Sequence, residues 1–115
     1  MFRKLKIKFN TVKNGVKNLI KWFPVIWEDR DYDYYFLLIL MSRKMKNMSE
    51  LHSKHGMSID SDKYAEQLKY CSELAEKIAE GNYPVRDLEE ERRLAKNDLN
   101  KLFTTMEENI LNWWD

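Results

Sequence analysis

Breaks are scarce in this chain. Three glycines and two prolines are spread over 115 residues, too few for the tight turns of a many-stranded sandwich or barrel. Between those breaks, apolar residues recur at helical steps. Tyr34, Leu38, Met41, Met45, Met48 and His52 are spaced 4, 3, 4, 3 and 4 apart, which is one continuous face of a helix. Asp29, Asp31 and Asp33 stand where that helix begins and complement its N-terminal dipole, and Gly56 after His55 supplies a left-handed stop. The spacing predicts a helix from about residue 31 to 55, about 37 Å long at 1.5 Å per residue. Asp60 or Ser61 caps a second helix with the face Tyr64, Leu68, Cys71, Leu74, Ala75 and Ile78, closed by Gly81. After Asn82, Tyr83 and Pro84, Asp87 and Glu90 resemble a capping box. They open a third helix with Leu88, Ala95, Leu99, Leu102, Met106, Ile110 and Trp113 at steps compatible with one face.

The first 24 residues differ in charge. Arg3, Lys4, Lys6, Lys8, Lys13, Lys17 and Lys21 have no acid among them, so this arm carries +7, while the other 91 residues carry −6 and the whole chain +1. Val12, Val16, Leu19, Ile20 and Phe23 form an apolar helical face beside the stripe Lys13, Lys17 and Lys21. Pro24 is expected to end that helix, because the residue before a proline is pushed out of the α region. Upstream, Leu5, Ile7 and Phe9 alternate with lysines as a strand would. Phe2, Leu5 and Phe9 equally extend the helical face. Helix is the favoured reading, because a strand here would find no partner within the chain. The expected fold is therefore all-α: a small helical bundle or extended helical hairpin of three main helices plus a basic N-terminal helix. It forms a single domain over 1–115, with arm 1–24 and acidic body 25–115. The longest apolar run is the eight residues from Tyr34 to Met41, against roughly 20 for a membrane span. One cysteine and no recognisable secretory leader suit an intracellular protein.

Catalytic and metal patterns fail on their details. Asp29, Asp31 and Asp33 begin like a calcium loop, but the required glycine and bidentate glutamate positions hold Tyr34 and Leu40. His52 and His55 are three apart rather than four, and Cys71 lies on an apolar face, so no zinc set is complete. Neither a Gly-x-Ser-x-Gly elbow nor a phosphate loop is present. No enzyme, cofactor or metal is expected.

The segment from Trp22 to Phe36 holds seven aromatic residues and Arg30. It reads either as a core corner or as a displayed site of the kind used at interface hot spots and for base stacking. The candidate binding residues are Arg30, Tyr32 and Tyr35, with Arg43 and Lys44 on the following helix, and Trp27 is expected in the core.

Trp27, Arg30, the run Asp31-Tyr32-Asp33-Tyr34-Tyr35, Lys54-His55-Gly56 and Asn82-Tyr83 together resemble a pattern in small uncharacterised bacteriophage-encoded proteins. The resemblance spans residues 22–83, departing where Tyr32 replaces a tryptophan. It implies phage origin and the cytoplasm of a host cell. The expected function is a non-enzymatic binding protein in counter-defence, which occupies a host protein or sequesters a small nucleotide signal, as a homo-oligomer. The alternative is a nucleic-acid accessory protein using the basic arm, and the same arm also suits a membrane surface.

Overall fold

A computed structural model describes residues 2–114, with side chains from Lys4 onward, so the side chain of Arg3 lies outside the described residues. The order is α1 (Phe2–Glu28), α2 (Tyr34–His55), α3 (Ser61–Glu80), α4 (Leu88–Asn109) and a 3-10 turn, Ile110–Asn112, with no strand among the described residues. The protein is all-α. It divides into two compact units between Asp31 and Tyr32.

The first unit contains α1. The alternation over Leu5, Ile7 and Phe9 does not produce a strand, since a helix satisfies each backbone group within its own segment. The stop expected before Pro24 is also absent, and the helix continues to Glu28. Pro24 removes one N–H that would have reached the Ile20 carbonyl. Ile20 is exposed, so solvent can take up that carbonyl. Trp27 is 72% exposed rather than part of a core. Its ring lies beside that of Phe23, centroids 5.6 Å apart, and a single helix has no second layer to cover it.

In the second unit α3 is the central helix. It packs antiparallel to α2, and the contact is set by small residues. The Ser42 hydroxyl donates to the Ser72 carbonyl at 2.8 Å and the Ser72 hydroxyl to the Ser42 carbonyl at 2.9 Å. One heptad away, Ser49 donates to the Ala65 carbonyl at 2.7 Å. The buried seam of α2 is thus Leu38, Ser42, Met45, Ser49 and His52, with Met41 and Met48 at its edge. On the other side, Leu102 and Trp113 join Leu68, Cys71, Leu74, Ala75 and Ile78 in one core cluster. Cys71 is fully buried, and that burial pushes its thiol up to about 11. It belongs to the core.

The helix ends refine the expected capping. Asp33 accepts from the Tyr35 N–H at 2.9 Å, so α2 begins at Tyr34. Gly56 is extended, with φ −67° and ψ 132°, and not left-handed. Glycine is required there by closeness, because a Cβ would lie 2.4 Å from the His52 carbonyl oxygen and 2.3 Å from Ser61 Oγ. Gly81 is left-handed, φ 67°, and its N–H donates to the Lys77 carbonyl. Asp60 makes no side-chain cap to α3, and Ser61 instead donates to the Ser58 carbonyl at 2.7 Å. Asp87 caps α4 through the Glu89 N–H at 3.1 Å, but Glu90 pairs with Arg93, so the reciprocal box does not close.

Candidate functional site

Because α2 and α4 both pack on α3, a groove of about 780 Å³ is left between them. From α2 come Tyr34, Leu37 and Met41, at i, i+3 and i+7, and from α4 come Leu88, Ala95, Leu99 and Phe103. Leu38 and Ile78 form the buried floor. Glu91, Arg92 and Lys96 supply the charged lining. Leu37, Leu88 and Phe103 are all exposed. Large apolar side chains left open in a row beside a core are more than the scattered surface hydrophobics any protein carries. Apolar surface is what the groove offers a ligand.

Tyr83 lines this groove together with Gly81 and is fixed by a polar clamp around the buried Asp98. Its hydroxyl donates to Asp98 Oδ2 at 2.7 Å, and Lys77 Nζ lies 3.2 Å from the same oxygen and 5.1 Å above the Tyr83 ring. Burial alone would raise the Asp98 carboxyl. The Tyr83 hydroxyl and the Lys77 ammonium outweigh it and hold Asp98 below the usual carboxylate range. Burial, then the Asp98 bond and charge, push the Tyr83 phenol well above its ordinary value. The sequence reading missed Asp98, although it sits three residues after Ala95 and four before Leu102, on the inward face of α4.

Tyr83→Phe removes the main donor to a buried carboxylate and is expected to cost about 1.5–3 kcal/mol at neutral pH. The folded Asp98 pKa lies below its unfolded value, so its contribution is complete above the unfolded range. It is lost as pH falls from about 4 through the folded pKa, where the unfolded chain binds more protons. Urea unfolding of both proteins across acidic pH should show the stability gap narrowing below about pH 4. A constant gap would mean that Asp98 does not ionise as this geometry requires.

The residues singled out from the sequence do not converge. Arg30 turns back on the end of α1, donating to the Asp29 carbonyl at 2.8 Å and reaching the Trp27 carbonyl at 3.5 Å. Tyr32 is 79% exposed in the bend before α2. Tyr35 is half-buried, edge-on to Phe36 with centroids 4.9 Å apart. Arg43 and Lys44 are exposed on α2, and as neighbours on a helix they point about 100° apart at 3.6 residues per turn. The arm lysines Lys4, Lys6, Lys8, Lys13, Lys17 and Lys21 are all exposed on α1. Neither terminal tryptophan joins the groove: Trp113 is buried and Trp114 exposed.

Among the described residues no group of three or more His, Cys, Asp or Glu side chains is placed to hold a metal ion. No helix there is long and apolar enough to cross a membrane. Comparison with protein-family models, with curated proteins and with solved structures gives no match.

Proposed function

We propose that this chain is a non-catalytic binding protein that takes an amphipathic helix of a partner protein into the groove between α2 and α4. The observation that carries this reading is the groove itself. Its walls are two helices whose apolar side chains line one elongated channel, and a hydrophobic groove of this kind accepts the apolar face of an amphipathic helix. Arg92 and Lys96 outweigh Glu91 in the charged lining, which favours a partner helix with acidic residues beside its apolar stripe. An apolar lining suits such a helix better than the phosphates of a nucleotide signal. The resemblance to bacteriophage proteins supports a protein of the infected host as that partner, and occupation of a host factor as the effect.

The test is site-specific photocrosslinking of the full chain in bacterial cells. Crosslinkers at Leu37 and Phe103 should give the same discrete adduct, and one at Tyr70, exposed on α3 and outside the groove lining, should not. Leu37→Glu and Leu88→Glu alter exposed positions and spare the core. Each should weaken formation of that adduct by 2 kcal/mol or more, roughly the threshold for a hot spot. An adduct formed equally from Tyr70, or insensitive to both substitutions, overturns the reading.

A further inference from the structure

Separate from the groove, α1 carries an apolar seam with no second element in its own unit. Leu5, Phe9, Val12, Val16, Leu19 and Phe23 follow one another at steps of 4, 3, 4, 3 and 4, and all are exposed. Ile20, Ile26 and Trp27 widen the seam to about a third of the helix circumference at 3.6 residues per turn, and they too are exposed. Ile7, Trp22 and Val25 lie off it. At the same periodicity, Lys6, Lys13 and Lys17 border one edge of this sector and Lys8 the other. No acidic residue precedes Glu28.

We propose that α1 is an in-plane membrane helix whose partner is an anionic lipid surface. Three physical features select that partner. An apolar sector with lysines on its borders lets the chain bury the sector below the headgroups while the lysine stems reach back up to the phosphates. The unopposed positive charge is complementary to an anionic surface, where each lysine adds roughly a fivefold gain in partitioning. Trp27, within the apolar sector, is a side chain that favours the membrane–water boundary. A second α1 is a poor partner, since neither copy has an acidic residue before Glu28 to offset the lysines that border the seams. Nucleic acid would use the lysines but leave the apolar sector in water.

The experiment is flotation of the full-length protein with vesicles of phosphatidylcholine alone or mixed with phosphatidylglycerol, at low and high salt, beside duplex DNA as competitor. Binding is expected only with phosphatidylglycerol. Lys13→Glu with Lys17→Glu should reduce it more than about tenfold. Leu19→Glu with Phe23→Glu should abolish it, while the thermal transition of the protein stays unchanged because those positions are exposed. Three results would overturn the proposal. One is no binding to either vesicle. Another is binding to DNA that survives Leu19→Glu with Phe23→Glu while vesicle binding is absent, which would assign α1 to nucleic acid. The third is a dimer in sedimentation that these substitutions dissociate, without vesicle binding, which would assign the seam to a second copy.

Discussion

Leu68→Asp is expected to abolish cooperative unfolding of the α2–α4 unit. Leu68 is fully buried in the central helix, within the cluster that joins α2, α3 and α4. A carboxylate there has no cation built to meet it, so it is either buried unpaired or forced neutral. Either course costs several kcal/mol, on top of the packing lost with the leucine. A domain of this size has only about 5–15 kcal/mol in hand. Near-ultraviolet circular dichroism would report the outcome, because the signal of the buried Trp113 depends on fixed packing around it. A sharp melt and an intact tryptophan signal in the variant would mean that α3 is not the centre of the unit.

The second large effect is expected at Trp113. It is 7% exposed, and its indole N–H donates to Gln67 Oε1 at 2.8 Å. Gln67 in turn donates to Asn109 Oδ1 at 3.1 Å, and Asn109 to the Thr105 carbonyl at 2.8 Å. Trp113→Ala removes the ring, leaves a cavity in the core cluster and strips Gln67 of its donor, for an expected loss of about 3–5 kcal/mol. Trp114→Ala, at a 71% exposed position, should fall within about 0.5 kcal/mol of the parent protein. Trp113→Phe should lie between them, since it keeps most of the apolar volume and loses the indole bond. Denaturant titrations of the three variants decide the matter. Equal effects at 113 and 114 would contradict the asymmetry between the two rings.

Much of the α2–α4 unit was legible because its signals are local. Leu38, Met45 and His52, Leu68 and Cys71, and Leu102 and Trp113 all lie inward, as their spacing indicates. The serines were not legible. Ser42, Ser49 and Ser72 look like surface residues until a second helix approaches closely enough to receive their hydroxyls. Asp98 was missed for the same reason: its burial depends on Tyr83 and Lys77, which come from other elements. The aromatic density around Trp27 and Tyr32 pointed toward a site, yet a list of residue types carries no direction. Arg30 is engaged by the end of α1, and Arg43 and Lys44 diverge. The groove could not be read from one helix, since it exists only where the faces of α2 and α4 are held apart by α3. Pro24 shows the limit of a propensity rule, which states the cost of a proline within a helix but not whether the helix continues.

The serine contacts also bear on how the chain reaches its fold. Ser42 and Ser72 are 30 residues apart and Ser49 and Ala65 only 16, so the α2–α3 pairing closes short loops and costs little chain entropy. A topology built from neighbours in sequence has a low contact order and belongs with the helical proteins that fold in microseconds to milliseconds. During synthesis, the hairpin of α2 and α3 can zip together as soon as Glu80 has cleared the ribosome. The face of α3 that α4 will cover then stands open until the following residues, through Trp113, are also free of the ribosome. A nascent chain of this design is therefore open to chaperones, and to misassociation with its neighbours on a polysome, between the emergence of α3 and that of α4.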